Sequence, residues 1–176
     1  MYRISAILIT LFVLAACGNE ATVNRESLIS NFEQIADQET GLLNEVAANE
    51  YLNSAQAFAK SSPNDTAAAL PLYRAAEVAR ALGKPAKAIE IYQQIITQYP
   101  TFHKAPEAHF MLAFSYDEDM NNLEKARTEY ENFINTYPDH GFADDAAMLL
   151  GNLGKSDEEI LRELEAKLAQ PQKEQE

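Results

Sequence analysis

The sequence contains no tryptophan and only one cysteine in 176 residues, and it is poor in basic side chains. A single cysteine excludes an intrachain disulfide, and only six glycines and seven prolines exclude collagen-like and low-complexity chains. Fourteen Lys and Arg oppose 27 Asp and Glu, so the formal charge is −13. Because such a surface repels phosphate backbones, the composition argues against nucleic-acid binding. The length fits one globular domain.

Long hydrophobic runs are also scarce, and the one that stands out lies at the N-terminus. After Met1-Tyr2-Arg3, residues 4–16 read ISAILITLFVLAA. This run is shorter than the roughly 20 residues that span a bilayer, but it has the length of a signal-peptide core. We therefore predict that residues 1–16 are a signal peptide and that residues 17–23 form a short flexible tether.

The lone cysteine follows small residues in the string Leu14-Ala15-Ala16-Cys17. This string resembles the bacterial lipobox, and the resemblance implies lipid attachment (diacylation, palmitate included) at Cys17. Two or more acyl chains hold a protein stably on a membrane. Gly18 replaces the Asp of inner-membrane retention signals, so the resemblance further implies an outer-membrane, lipid-anchored protein that faces the periplasm. The alternative is an ordinary cleaved signal peptide with a free thiol nearby.

The remaining chain repeats with a period of 37 to 38 residues, marked by Pro63, Pro100 and Pro138. Small, aromatic and large apolar residues recur at fixed offsets from the last two prolines, at Ala88 and Ala126, Tyr92 and Tyr130, and Ile95 and Phe133. This pattern resembles the tetratricopeptide repeat, a helix–turn–helix unit of about 34 residues. The resemblance implies an all-α superhelix, similar to the β-barrel assembly lipoprotein and Tol–Pal-associated coordinator families. The second unit carries one extra residue between Tyr116 and Ala126.

Capping and proline positions predict helices at 27–39, 42–60, 64–82, 85–98, 106–117, 122–137, 142–154 and 156–169. We group them as an irregular N-terminal pair (24–63), the tetratricopeptide repeats (64–154), a C-terminal capping helix (155–170) and a frayed tail (171–176). Gly83 supplies a left-handed helix stop, and Ser156 with Glu159 forms a capping box. Pro71 is awkward, because it either interrupts the helix at 64–82 or delays its start.

The candidate functional surface is the concave groove that the first helix of each pair lines in solenoids of this class. The phase is fixed by small-residue pairs at Ala75-Ala76, Leu112-Ala113 and Leu150-Gly151. Side chains beside these pairs are predicted to line a protein-binding groove: Tyr73, Glu77, Arg80, Phe110, Phe114, Asp117, Met148 and, at its end, Asn152. Helical spacing leaves open the alternative that Phe110, Phe114 and Met148 are interhelix core.

No pattern in the sequence points to catalysis or to a cofactor. His103, His109 and His140 do not converge with acids as metal ligands do, and the acidic run 117–119 lacks the glycine and distal Glu of a calcium loop, which favours a solvated turn. Nucleophile-elbow, phosphate-loop and dinucleotide motifs are missing from the sequence. We therefore predict neither an enzyme, nor a metal site, nor a small-molecule substrate.

These features together predict a membrane-anchored periplasmic adaptor. It would bind another envelope or outer-membrane protein in the groove and serve outer-membrane assembly or envelope maintenance. Two alternatives stay open, a self-associating structural scaffold and a glycan-binding lipoprotein. The absence of tryptophan, a favoured sugar-stacking side chain, counts against the second alternative.

Overall fold

The computed structural model describes residues 25–36, 40–63 and 65–169. The predicted signal peptide, Cys17, the tether and the tail at 171–176 lie outside these residues. The helices are α1 (Arg25–Glu33), α2 (Glu45–Ser61), a 3₁₀ turn (Thr66–Ala68), α3 (Ala69–Ala81), α4 (Pro85–Gln98), α5 (Ala105–Phe114), a π segment (Ser115–Asp119), α6 (Leu123–Thr136), α7 (Ala143–Asn152) and α8 (Asp157–Leu168). Within the described residues, β structure is limited to one isolated bridge between Ala36 and Leu43.

Each helix from α1 to α7 packs against its neighbours along the chain, as expected for a solenoid. Alanines with no exposed surface lie where helices cross, and buried rings fill the space between pairs; the repeated positions Ala88, Ala126, Tyr92, Tyr130, Ile95 and Phe133 all belong to this core. The predicted all-α tetratricopeptide-type superhelix is confirmed. Among the described residues, every helix is too short or too polar to cross a bilayer.

Proline and glycine set the junction between α2, α3 and α4. Pro71 occupies the first turn of α3, where a backbone N–H has no intrahelical partner. A 3₁₀ turn precedes it, and Asp65 caps that turn by accepting a hydrogen bond from the Ala67 N–H at 2.8 Å. The α-helix predicted from residue 64 therefore begins at Ala69. Gly83 ends α3 with φ +66°, and α4 then starts at Pro85 as predicted.

The N-terminal pair is shorter than the sequence pattern predicts. Helix α1 ends at Glu33 instead of residue 39, and α2 begins at Glu45 instead of residue 42. Asn44 fixes the later start because its side chain accepts a hydrogen bond from the Ala47 N–H at 3.1 Å. Gly41, at φ +68°, lies in the connection between the two helices.

The extra residue of the second unit is taken up in the π segment. Insertion of one residue into a helix produces a wider turn of this kind. It follows α5 directly and ends at Asp119. Asn121, at φ +48°, lies in the connection that follows, and Asn122 then caps α6 by accepting a hydrogen bond from the Lys125 N–H at 3.2 Å. The π segment therefore changes the directions in which the acidic side chains at 117–119 point, relative to a regular α-helix.

Helix α8 begins with the predicted capping box. The Glu159 N–H donates to Ser156 Oγ at 3.3 Å, and the Ser156 N–H donates to Glu159 Oε2 at 2.9 Å. None of the α8 residues is buried, and the helix makes few contacts with α7. Its leucines, Leu161, Leu164 and Leu168, are exposed. The helix thus leaves an apolar stripe open at the C-terminal end of the solenoid.

Candidate protein-binding groove

Arg80 on α3 bridges to the π segment and organises the middle of the predicted groove. Its Nε lies 2.6 Å from Asp119 Oδ2 and its Nη2 lies 3.1 Å from Asp119 Oδ1, which is a two-point contact. The guanidinium carbon lies 5.1 Å from the centroid of the Phe114 ring. The hydrogen bond from Arg80 lowers the pKa of Asp119, and the same bond raises the pKa of Arg80. Arg80, Phe114 and Asp119 are hereafter the Arg80 cluster.

Phe110 lies beneath this cluster. Its ring stacks on Phe114 with centroids 6.3 Å apart, and it also packs against Tyr130 and Phe142. Only 9% of Phe110 is exposed, whereas Phe114 is half-buried. Phe110 is therefore a packing residue that supports Phe114.

Tyr73 has the equivalent position one unit earlier and is also a packing residue. It is 8% exposed and packs against Tyr92 and Phe102, while Lys104 Nζ lies 5.2 Å above its ring. Burial raises the pKa of the Tyr73 hydroxyl to about 12. The expectation that the Tyr73 and Phe110 side chains project into an open groove is wrong, because the loop that follows each unit covers them.

Glu77 lies between these two sites and is exposed to solvent. Desolvation nevertheless raises the pKa of its carboxyl group, while Lys104, Arg74 and Arg80 act in the opposite direction. An exposed carboxylate with surrounding protein atoms is what a concave surface produces. The predicted placement of Glu77 beside the groove is therefore consistent with its surroundings.

Three predicted groove residues, Asp117, Met148 and Asn152, lie elsewhere. The Tyr130 hydroxyl donates to Asp117 Oδ2 at 3.3 Å, and burial raises the pKa of Asp117. Asp119, at the end of the π segment, is the carboxylate that pairs with Arg80. Met148 is 58% exposed and, with Asn152, borders a shallow depression against α8, away from the Arg80 cluster.

A cavity of about 610 Å³ lies at the N-terminal end of the same side of α3. We call it the N-terminal cavity; its lining comes from α1, α2, the start of α3 and the loop after α4: Arg25, Leu28, Ile29, Tyr51, Thr66, Ala67, Leu70, Pro71, Arg74, Thr101, Phe102 and His103. The sequence pattern does not indicate this cavity, because the repeat register does not extend into the irregular N-terminal pair. Arg74, adjacent to Tyr73 in the chain, was the available signal.

The histidines occupy separate environments. His109 is mostly buried with its Nε2 3.1 Å from Glu129 Oε2, whereas His103 and His140 contact Phe102 and Phe142. Across the part of the chain that the structure describes, there is no group of three His, Cys, Asp or Glu side chains able to hold a metal ion. The arrangement offers surfaces for binding, built from arginines, carboxylates and aromatic rings.

Comparison with known proteins agrees with this geometry. Residues 72–101 and 107–140 match the tetratricopeptide repeat family, so the matched segments cover α3 with α4 and α5 with α6. No curated protein matches the chain. Tetratricopeptide repeats form protein-interaction scaffolds, in which stacked helical hairpins present a binding surface to another chain. The chain is therefore an all-α solenoid in which residues 72–101 and 107–140 are similar to tetratricopeptide repeats.

Proposed function

We propose that this protein is a lipid-anchored adaptor that holds another envelope protein beside the outer membrane, on its periplasmic side. The observation that carries the proposal is the Arg80 cluster, where an arginine lies over a partly exposed phenylalanine and against a carboxylate. Arginine and aromatic side chains dominate the energetics of many protein interfaces. The Arg80 and Asp119 side chains are 23% and 24% exposed, so the cluster is both ordered and accessible.

The anchor part of the proposal rests on the lipobox-like string that ends at Cys17. Two or more acyl chains hold a protein stably on a membrane, because each buried CH₂ contributes about 0.8 kcal/mol. Tethering also raises the effective concentration of the solenoid near other membrane proteins, so contacts of modest affinity suffice.

Metabolic labelling with an alkyne-bearing palmitate tests the anchor. We expect the unaltered protein to incorporate the label and to sediment with outer membranes, and we expect the Cys17→Ser variant to lose both properties. Failure of the unaltered protein to incorporate the label would contradict the anchor, and so would equal labelling of the Cys17→Ser variant.

Substitutions in the Arg80 cluster test the groove. Phe110→Ala is unsuitable, because Phe110 is core and its loss would cost about 3–5 kcal/mol of stability. Phe114→Ala and Arg80→Glu alter accessible groups instead, and Arg127→Glu makes the same charge change at an exposed site on α6. We expect the first two variants to lose captured envelope partners and Arg127→Glu to keep them. Equal capture by all three folded variants would contradict the groove assignment.

Self-association is a second candidate, favoured by the apolar stripe of α8. Leu161, Leu164 and Leu168 follow the three- and four-residue spacing of a coiled-coil seam and are exposed. An antiparallel pair would bring Lys167 of one copy near the acidic first turn of α8 in the other. Light scattering of the Cys17→Ser protein tests this: a dimer that Leu164→Glu dissociates supports self-association, and a monomer rejects it.

A further inference from the structure

The N-terminal cavity has a basic lining in a strongly acidic protein. Three of its lining residues, Arg25, Arg74 and His103, are basic, and the described lining includes no acid. The whole chain has 27 acidic side chains against 14 Lys and Arg. A concentration of positive charge in one concavity of such a chain selects a negatively charged ligand, because the remaining surface repels it.

Within the described part of the chain, neither of the two arginines forms an ion pair, although Arg74 lies close enough to Glu77 and Tyr51 to influence their pKa values. Among the residues that the structure describes, the ion pairs involve other cations, and neither Arg25 nor Arg74 lies within 4.0 Å of a carboxylate oxygen. The Arg74 guanidinium lies 4.4 Å from the centroid of the Phe32 ring. Stacking on a ring holds a guanidinium in place while its edge N–H groups remain able to bind a carboxylate in two-point geometry.

The rest of the lining is mostly apolar, with Thr66 and Thr101 as its other polar residues beside Tyr51. Leu28, Ile29, Leu70 and Phe102 contribute to the lining, and the Tyr51 hydroxyl is already satisfied by donating to the Pro71 carbonyl at 3.2 Å. The volume of about 610 Å³ lies within the 300–1,000 Å³ range of small-ligand pockets. The cavity can therefore bury one large apolar side chain and leave room for neighbouring backbone.

The cavity and the proposed groove share helix α3. Arg74, which lines the cavity, lies three residues before Glu77 and six before Arg80, and both arginines lower the pKa of Glu77. A ligand that enters the cavity would meet a basic, an acidic and a basic group in succession. This linear sequence of sites suits an extended peptide better than a compact ligand.

We propose that the N-terminal cavity is a peptide-recognition site that binds an extended segment of the partner in which a large apolar side chain stands next to acidic ones. The apolar side chain would fill the space between Leu28 and Phe102, and the flanking carboxylates would bind Arg25 and Arg74. This inference rests on the adaptor function and specifies which segment of a partner is recognised.

Fluorescence anisotropy with the Cys17→Ser chain and labelled synthetic peptides tests the inference. The probes share a Gly-Ser frame and differ at the centre, which reads Asp-Phe-Asp, Lys-Phe-Lys or Asp-Gly-Asp. We expect Asp-Phe-Asp to bind at least about tenfold more tightly than the other two, because only it satisfies both the cations and the apolar floor. Similar affinity for all three peptides would overturn the proposal.

Charge reversal locates the site. Arg74→Glu and Arg25→Glu should each weaken the Asp-Phe-Asp complex by about tenfold or more, and Arg127→Glu on α6 should change its affinity less than about twofold. Arg74→Lys keeps the positive charge but loses the two-point geometry of the guanidinium, and it should weaken binding by an intermediate factor. This variant tests the site even if Arg74→Glu unfolds. Unchanged binding in folded Arg25→Glu and Arg74→Lys chains would overturn the proposal.

A third arm separates a peptide site from a lipid site. Phosphatidylglycerol vesicles replace the peptides, and their binding is measured for the unaltered cavity and for Arg74→Glu. Vesicle binding that depends on Arg74, with no preference among the peptides, would overturn the proposal in favour of an anionic lipid. Failure of the adaptor function itself is scored separately, by partner capture with the Phe114→Ala and Arg80→Glu variants.

Discussion

Ala88 has no exposed surface on α4, where neighbouring helices approach closely. We predict that Ala88→Leu destabilises the fold by about 1–3 kcal/mol, because added methylenes overpack a close-packed core. Ala86→Leu on the same helix is the matched control, since Ala86 is exposed, and we expect a change below about 0.5 kcal/mol. Urea denaturation of both variants checks the prediction. Equal effects would show that helix spacing at Ala88 is not tight.

Two glycines separate backbone strain from packing. A Cβ at Gly83 or at Gly151 would meet no atom within 4 Å, but only Gly83 has a positive φ, at +66°. Gly83→Ala should cost about 1–2 kcal/mol, because an L-residue is strained in the left-handed region. Gly151→Ala, inside α7, should instead stabilise by about 0.5–1 kcal/mol. If α3 ends at Gly83 as described, thermal unfolding should show a lower melting temperature for Gly83→Ala and a higher one for Gly151→Ala.

The Arg80 cluster predicts a pH dependence. The pKa of Asp119 is lower in the folded protein, so its ionised form stabilises the fold above the ordinary pKa of an aspartate, and this contribution is lost as the pH falls through the lowered value. Asp119→Asn should cost about 1 kcal/mol near neutral pH and almost nothing in acid. Glu118→Gln, next in the chain and exposed, is the control. A pH-independent cost for Asp119→Asn would contradict the ion pair.

At the residue scale, the sequence predicts which face of a helix a side chain lies on, but not how much of that side chain is exposed. The repeated alanines and aromatic residues are buried where the period places them. Tyr73 and Phe110 share their helical face with accessible groups, and they are covered by Phe102 and Phe142, which lie outside the helical period. The partner of Arg80, Asp119, was also not predicted, because it lies in the π segment, where the regular helical period does not hold.

At the scale of a helix, removal of the Asn44 side-chain cap should have a different effect on stability from removal of the Ser156 cap. Each cap is worth about 1 kcal/mol. Helix α2 contributes six buried residues to the core, whereas α8 contributes none. Asn44→Ala should therefore lower the global free energy of unfolding. Ser156→Ala should only speed hydrogen exchange within α8, by about fivefold. Exchange mass spectrometry and urea denaturation measure the two effects. A global loss in Ser156→Ala would show that α8 is integral to the core.

Helix boundaries were predictable where a strong local group sets them. Pro85 starts α4, and Asn122 and Ser156 cap their helices as the sequence indicates. The observed helix boundary differs from the predicted one at Asp65, which caps a 3₁₀ turn in place of an α-helix. The extra residue of the second unit reveals an insertion, but periodicity does not say which turn absorbs it.

For the whole molecule, the repeat period predicts the solenoid, because stacked units must bury the apolar stripe that each leaves exposed. The N-terminal cavity was not predictable in this way. Its walls come from residues 25–29, 70–74 and 101–103, which belong to different units. The packing of both α1 and α3 against α2 brings Arg25 and Arg74 to one concavity.

Position-specific photocrosslinking in living cells shows directly whether the groove around Phe114 holds a partner protein. A photoreactive phenylalanine replaces Phe114 in the groove or, as the control, Glu131 on the exposed side of α6. We expect a discrete adduct with an envelope protein from position 114, its loss when Arg80→Glu is combined with the probe, and no such adduct from position 131. Adducts of equal yield from both positions, or an adduct from position 131 alone, would contradict the claim that the groove of a tethered solenoid holds the partner.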